Sequence, residues 1–481
     1  MSIDYLCKLG RPSATMGLIV LSLLTSCTNR TSPTDLVVPW TVPEAWQSAP
    51  NSAQPVSAGW LHEFNDSKLI EISQQALANN PDLKIVMAQR GQALHRFRAL
   101  DGSQWPNLAS QLDASRHKNV SSQSISYQNQ FSLDLVVSWE WDLWQRLGQR
   151  SQAAAWNYAA TEADVAALRL SLVANVARSW FDLMEAGALV TLLKMRQKNL
   201  EDNHQLLTER FKEGLSPALD VLLARTDLKQ TSVQLVQQRQ QLEVVKRRLL
   251  QLVGEYPDGV LEVAFRLPDL PKPVYPGLPA DLLKRRPDVM ATHSRAMAAH
   301  ALTHAAEADR YPKLMLTAGG GTASEELKSI VRDGNLAWSM LANFSQPLFD
   351  ARRLKSLSEE ALEAQREAEA QYHKVLLAAF TEVEVALSSE AYLRSSTLLN
   401  QSVLETAQQA LSLAQKQYNE GLVDYATLLA AQRRAFDSQI ALIQTKKQLL
   451  HNRVNLNLAL GNGLYYENNP QDSLGSEING S

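Results

Sequence analysis

The chain has 481 residues, of which 45% are hydrophobic, 20% are charged and two are cysteines. Lys and Arg (47) nearly balance Asp and Glu (50), so the formal net charge of −3 gives no general electrostatic reason to bind nucleic acid. Two cysteines exclude a disulfide-rich scaffold and any zinc site that needs three or four thiolates. The ordinary apolar content excludes a chain that is disordered throughout.

The first 27 residues have the pattern of a secretory signal. Basic residues precede an apolar run over 16–24, which is too short to cross a bilayer. Two small residues and Cys27 follow, an arrangement that resembles the signal of bacterial lipoproteins, in which Cys27 would be lipidated. We therefore predict a signal peptide over residues 1–26 and a diacylglycerol and an acyl chain on Cys27. The alternative is an ordinary signal with a chance cysteine.

The rest of the chain repeats itself with a period near 206 residues. Asn80-Pro81-Asp82-Leu83 recurs as Arg286-Pro287-Asp288-Val289, and Glu213-Gly214-Leu215 recurs as Glu420-Gly421-Leu422. Several such anchors in one order are hard to obtain by chance, so the sequence predicts a duplicated unit. The predicted segments are an extended N-terminal segment (27–59), a first copy (60–256), a Pro-rich linker (257–280), a second copy (281–463) and a C-terminal tail (464–481).

Each copy contains one long stretch with few helix breakers. Residues 351–420 contain neither Gly nor Pro, and residues 151–213 contain only Gly187. Apolar residues recur in both stretches at steps of three and four, which is the period of a helix face. At 1.5 Å per residue these helices would be about 95–105 Å long. Shorter helices are predicted over 81–104 and 218–253 in the first copy, and over 287–309 and 424–460 in the second.

Strands are predicted just before each long helix. Residues 131–143 alternate between apolar and polar side chains, and residues 336–345 alternate more weakly. A soluble sandwich would also alternate, but strands of about ten residues with aromatic side chains suit a membrane. Shorter partner strands are predicted over 108–117 and 314–323, with polar loops over 118–130 and 324–334.

Four strands per chain are too few to close a barrel, because known membrane barrels begin at eight strands. Two copies would supply eight strands and three would supply twelve. A trimer is favoured, since the interior of an eight-stranded barrel is filled by side chains. On the polar side, Asp134, Glu140 and Asp142 are predicted to face the lumen or its mouth. They would either favour cations modestly or simply solvate a water-filled face.

From Trp60 to Gly461 the chain resembles the TolC-like outer-membrane efflux family, in its lipoprotein branch. The matching segments are 64–69, 80–83, 142–146, 285–288, 346–350 and the two Gly-Leu turns. The resemblance implies a fold that is mainly α with a membrane β-barrel. In that fold a trimeric 12-strand β-barrel, with four strands per chain, continues into a long periplasmic α-helical barrel. It also implies docking to a periplasmic membrane-fusion adaptor and an inner-membrane transporter of the RND type.

By the same resemblance, the turns at Gly214-Leu215 and Gly421-Leu422 would contact the adaptor and form the closed periplasmic end. Turn chemistry alone accounts for the glycines, but it accounts less easily for exposed leucines.

The family narrows its aperture with acidic and polar residues just beyond the second turn. Relatives often carry Asp where this chain has Ala430, so that acidic ring is absent. Asp220, Asp424 and Thr427 remain candidates for the gate. Each of them could instead cap a helix or lie on a solvated surface.

The predicted function is a passive exit duct in the bacterial outer membrane, lipid-anchored and extending into the periplasm, for small molecules such as those of multidrug efflux. The alternatives are a conduit for heavy-metal ions or a secreted polypeptide, and a periplasmic coiled-coil structural lipoprotein that forms no pore. No enzyme activity, cofactor or nucleic-acid partner is predicted. His300 and His304 stand four residues apart and could form a metal face, but a solvated helix face is favoured.

Overall fold

The computed structural model describes residues 36, 40–48, 59–120, 125–261, 263–269, 276–277, 279–331 and 336–463. The predicted lipidation site Cys27 and the predicted tail 464–481 lie outside these residues. Residues 1–41 and 42–481 form separate units. The architecture below belongs to the second unit.

The same order of elements occurs twice along the chain. The first copy holds a 3-10 helix (Trp60–Phe64), α1 (Ser67–Asn79), α2 (Pro81–Gly102), β1 (Asn107–Val120), β2 (Ile125–Trp141), α3 (Arg146–Lys212) and α4 (Ala218–Val253). The second holds a 3-10 turn (Pro279–Asp281), α5 (Leu282–Arg285), α6 (Pro287–Ala308), β3 (Lys313–Ser324), a 3-10 turn (Leu327–Ser329), β4 (Leu336–Ser345), α7 (Arg353–Asn419) and α8 (Tyr425–Ala459).

The long helices α3 and α7 confirm the prediction from helix-breaker spacing. Each has 67 residues and is therefore about 100 Å long. Helices α2, α4 and α6 begin at the predicted residues, and α8 begins at Tyr425, one residue later than predicted. In α2 the side chain of Asn80 accepts a hydrogen bond from the Leu83 N–H at 3.1 Å, and Pro81 occupies the first helical position.

The four strands form one antiparallel sheet in the order β1-β2-β3-β4. The predicted loop over 118–130 is wrong, because β1 and β2 pair without interruption as far as Val120 and Ile125. A ladder needs only backbone hydrogen bonds, so polar side chains on these residues do not end the strands. The predicted end of β2 at residue 143 is also wrong, since the N–H of Leu143 turns back to the carbonyl of Trp141 at 2.9 Å.

The helices pack side by side in one layer with α3 at its centre. In the half nearer the sheet, α3 is flanked by α2 and α6, and α7 packs beyond α6. In the other half, α3 is flanked by α4 and α8, and α7 packs beyond α8. The layer therefore has one margin formed by α2 and α4 and another formed by α7.

The main apolar core surrounds the middle of α3. Val173, Val176 and Phe181 of α3 are fully buried, together with Trp60 from the first 3-10 helix. Gly187 lies further along α3, after Phe181. A Cβ atom built on it would lie 2.0 Å from the ring of Phe265, so the glycine makes room for the inter-repeat linker.

A second core ties the N-terminal segment to the other margin. The indole of Trp46 packs with Phe380 and Val383 of α7, and its N–H donates to the carbonyl of Gly277 at 3.0 Å. The carboxylate of Glu384 accepts the backbone N–H groups of residues 47 and 48 at 2.8 and 3.0 Å. Residues 42–48 are thereby fastened to the middle of α7.

Candidate functional site

The two faces of the sheet differ in polarity. Cross-strand partners share a face, and here Leu112 pairs with Leu133, Leu133 with Thr322, and Thr322 with Leu336. The apolar face comprises alternate residues of each strand: 108 to 120 in β1, 125 to 141 in β2, 314 to 324 in β3 and 336 to 344 in β4.

Large side chains on the apolar face are exposed. Leu112 is 68% exposed, and Trp338 and Met340 are each 78% exposed. In β2 the pattern is the reverse of a water-soluble sheet, because Leu133, Leu135 and Val137 are more exposed than their neighbours Ser132, Asp134, Val136 and Ser138, three of which are polar. A contiguous apolar surface of this kind indicates a partner surface or a membrane.

The predicted acidic residues of the sheet have different surroundings. Asp134 lies on the polar face opposite Gly321, where an added Cβ would come within 2.0 Å of its carboxylate oxygen. Glu140 pairs with Arg146 of α3, with 2.6 Å between Oε2 and Nη2. Asp142 accepts the backbone N–H of Gly148 at 2.8 Å. Glu140 and Asp142 thus brace the junction between β2 and α3, while Asp134 stays in the middle of the sheet.

Both long helices end in the same backbone turn. The N–H groups of Gly214 and Leu215 donate to carbonyls of the last turn of α3 at 3.0 and 2.8 Å, and Gly421 and Leu422 do so in α7 at 3.1 and 2.9 Å. Gly214 has φ 75° and Gly421 has φ 73°, the left-handed conformation that favours glycine at this position. The following leucines are 64% and 69% exposed. The turns explain the glycines and leave both leucines available to a partner.

The predicted gate residues lie just beyond these turns. Asp424 caps α8, since its carboxylate accepts the backbone N–H of Thr427 at 2.8 Å. A hydrogen bond with the Thr427 side chain lowers the pKa of Asp424. Asp220 lies in the first turn of α4, where burial and then the nearby Asp424 carboxylate raise its pKa, against the opposing charge of Arg210. Each acid thus stands at the start of a returning helix, Asp220 in the first turn of α4 and Asp424 as the cap of α8.

An ion pair that was not predicted from the sequence joins the hairpin of α3 and α4 to the hairpin of α7 and α8. Asp227 of α4 is 5% exposed, and its carboxylate binds the guanidinium of Arg433 in α8 through two bonds, one of them 3.0 Å long. Burial raises the pKa of Tyr425 to about 12, and the Asp227 carboxylate adds to the effect. The signal in the sequence is an acid on the buried stripe of α4, between Ala224 and Thr231, because a buried acid needs a partner.

Two clefts run beside α8 in the half of the layer that carries the turns. A cleft of about 290 Å³ lies among α3, α7 and α8, and in it the guanidinium of Arg196 stands 4.0 Å above the ring of Phe436. A more open cleft of about 530 Å³ lies between α7 and α8, beside Arg434 and Asp437.

Within the residues that the structure describes, no helix is both long enough and apolar enough to cross a membrane. Within the same part of the chain, no three His, Cys, Asp or Glu side chains converge as a metal site would require. His300 pairs instead with Glu369 of α7 at 2.8 Å, and His304 lies 3.8 Å from Glu307 of its own helix.

Comparison with known proteins gives a result that spans most of the chain. Residues 72–255 and 278–462 match the family model described as outer membrane efflux protein. The chain is 28% identical to the cation efflux system protein CusC of Escherichia coli (strain K12) over 410 residues, which is 85% of this chain and 89% of that protein. It is 26% identical to the probable outer membrane lipoprotein SilC of Salmonella typhimurium over 431 residues, which is 88% of this chain and 93% of that protein.

A solved structure shows the same architecture. The outer-membrane channel OprN superposes with a TM-score of 0.83 at 25% sequence identity, over 89% of this chain and 98% of that one.

Proposed function

Because the chain belongs to the outer membrane efflux protein family, we propose that it is the outer-membrane channel of an efflux system and conducts small molecules out of the cell passively. The observation that carries this function is the exposed apolar face of the sheet. CusC is named for cation efflux, so metal cations are the second candidate cargo.

The dimensions of the apolar face support insertion in a membrane. From Phe131 to Trp141 the apolar residues of β2 extend about 33 Å along the strand at about 3.3 Å per residue. A strand tilted by about 40° then spans about 25 Å, which is the height of the apolar band of outer-membrane barrels. Aromatic residues follow at the end near the helices, where Trp144 stacks on Tyr311 with 5.0 Å between ring centroids.

The margins of the chain support closure by further copies. Strand β1 and helices α2 and α4 lie on one side of the chain, while β4 and α7 lie on the other. The outer edges of β1 and β4 pair with no strand among the described residues. Unpaired edges recruit further strands, and closure into a barrel removes them. Three copies would join β4 of one to β1 of the next and form a twelve-stranded barrel, with the helical layers forming a periplasmic helical barrel below it.

The hairpin ends form the gate of the duct in this proposal. Asp227 and Arg433 hold the two hairpins together at these ends. An adaptor that contacts Leu215, Leu422 and the adjacent clefts would draw the hairpins apart and open the aperture. An inner-membrane pump would supply the cargo and the energy. Opening is then a change between two states that the partner biases through its contacts.

Anchoring by lipid is part of the proposal. It is supported by the signal pattern before Cys27 and by the similarity to SilC, which is named a lipoprotein. A Cys27→Ser variant is expected to incorporate no labelled palmitate. Labelling equal to that of the wild type would contradict the anchor.

Planar-bilayer conductance of the purified trimer tests the function. We expect small or rare current steps from the wild type and several-fold larger or more frequent steps from Arg433→Ala, because the variant removes the ion pair between the two hairpins. Arg434→Ala removes the neighbouring cation, which is no part of that pair, and should behave as the wild type does. Trimers that insert and never conduct in any variant would support a structural rod and overturn the proposal.

A further inference from the structure

The charged residues of the sheet are distributed unevenly between its faces. Across the strand residues 107–120, 125–141, 313–324 and 336–345, the polar face carries Asp, Glu, His and Lys side chains. The apolar face carries only two charged residues, Arg116 and Lys118, and both are cations. An apolar surface that carries two adjacent cations and no acid is suited to a ligand that is apolar in one part and negatively charged in another.

The two cations surround one aromatic ring. Lys118 is the cross-strand partner of Tyr127, and Arg116 is paired with Asn129, two residues further along β2. The guanidinium carbon of Arg116 lies 5.0 Å from the centroid of the Tyr127 ring, and the ammonium of Lys118 lies 5.9 Å from it. All three side chains are exposed, so their charged ends can reach a common ligand.

The cluster lies near the hairpin end of the apolar face. The pair of Ala114 and Phe131 is followed on this face by the pairs that Arg116 and Lys118 begin, and one further apolar pair, Val120 with Ile125, follows them. Strand β1 follows α2 and β2 leads into α3, so the hairpin end at Val120 is the end away from the helices. With the helices in the periplasm, the cluster stands at the headgroup level of the outer leaflet.

We propose that Arg116, Lys118 and Tyr127 bind the phosphate groups of the phosphorylated glycolipid that forms the outer leaflet of the outer membrane. The inference rests on the proposed insertion of the sheet in that membrane. Guanidinium forks bind phosphate through paired hydrogen bonds, the ammonium adds a second positive charge, and tyrosine suits the interface between lipid tails and headgroups. Lipid is the occupant because the same face continues into exposed leucines and valines, which the acyl chains would cover.

Native mass spectrometry of the detergent-solubilised protein, titrated with lipid A, tests the proposal. We expect the double variant R116Q/K118Q to bind lipid A roughly 30-fold more weakly than the wild type, at about one kcal/mol for each cation. The exchange R116K/K118R keeps both charges and should bind nearly as the wild type does. Lys328→Gln removes a cation at the same end of the sheet, beyond β3, and should leave binding unchanged.

Three results would overturn the proposal. In the first, R116Q/K118Q binds lipid A as tightly as the wild type does. In the second, the wild type binds phosphatidylcholine as tightly as lipid A. In the third, inorganic phosphate displaces lipid A at equal concentration. The mass of the trimer in the same spectra shows that the variant folds and assembles. Wild-type conductance in phosphatidylcholine bilayers separates this inference from the proposed function: a conducting trimer without lipid A binding removes only the inference, whereas a protein that never conducts counts against the channel.

Discussion

The two long helices have the same length and bury very different numbers of residues. Helix α3 buries 25 of its 67 residues, whereas α7 buries 11 of 67. The difference follows from position, because α3 has neighbours on both sides and α7 lies at a margin. Apolar residues on α7, such as Leu398 at 73% and Leu399 at 65%, are therefore exposed in the single chain, and in the proposed trimer they would contact another copy. Two helices of equal length thus contribute unequally to the core of the chain.

A substitution in the centre of α3 should cause the greatest loss of stability. Phe181→Ala removes a ring that is fully buried, and we expect it to lower the free energy of unfolding by about 3–5 kcal/mol. Thermal unfolding in detergent, followed by the helical circular dichroism signal, measures the change. Leu398→Ala truncates a side chain that is 73% exposed in the single chain, so in a detergent that separates the copies it should change the free energy of unfolding by less than about 0.5 kcal/mol. Similar losses from both variants would show that the two helices are equally buried.

Substitutions on the exposed face of α7 should change assembly of the trimer without changing the fold of the chain. Replacing Leu398 and Leu399 together by Asp should reduce the fraction of trimer at least tenfold, because charges would be buried between copies. Native mass spectrometry measures that fraction, and circular dichroism checks that the helix content is kept. Replacement of both residues by Met preserves apolar volume and should keep the trimer. Undiminished trimer in the Asp variant would place the subunit contact elsewhere.

Two glycines test the same difference in burial between a central and a marginal helix, with a smaller expected change in stability. Gly187→Ala on α3 would drive a methyl group into the Phe265 ring, and we expect a loss of about 1–3 kcal/mol. Gly91→Ala on the marginal helix α2 meets no atom within 4 Å and should gain about 0.5–1 kcal/mol from helix propensity. Melting temperatures of the two variants should therefore move in opposite directions. A gain in both would mean that the linker shifts without cost.

The smallest effect concerns pH at the seam between α3 and α8. Burial by itself raises the pKa of Asp182, but hydrogen bonds and charges from His451 and Lys447 outweigh it and lower the pKa. A lowered pKa in the folded state means that Asp182 stabilises the protein above its usual value of 3.8 and loses this contribution as the pH falls below it. Asp182→Asn should be less stable at pH 7 and show a flatter decline in melting temperature between pH 4 and pH 3. An unchanged decline would assign the acid sensitivity to other carboxylates.

Helix positions could be predicted well because their limits depend on single residues. Gly214 and Pro217 end one helix and begin the next, and the observed bounds of α4, Ala218–Val253, agree with the predicted 218–253. The strand ends were predicted poorly, since the polar residues beyond 117 continue a ladder that only backbone groups sustain. A local pattern cannot show which strand supplies those groups.

Among the candidate site residues, those fixed by local turn chemistry could also be predicted, whereas those fixed by packing between hairpins could not. Turn chemistry indicated Gly214 and Gly421, and the cap at Asp424 was one of the alternatives that the sequence left open. The partnership of Asp227 with Arg433 could not be predicted, because the two residues are 206 positions apart and belong to different copies of the repeat. Its register depends on how two whole hairpins pack, which no short motif encodes. Contacts within one helix or turn can be predicted from the sequence. Contacts between the two copies of the repeat can be identified only once the fold is known.

The pairing of β2 with β3 has a consequence for the order of folding. Trp141 lies opposite Leu314, and Phe131 lies opposite Ser324, so this ladder closes a loop of more than 170 residues. The hairpin of α3 and α4 closes over a short turn and can form as soon as it is synthesised. Loop-closure entropy and high contact order slow the longer pairing, so the sheet is expected to assemble last. The helical layer would then form before the apolar face of the sheet is complete.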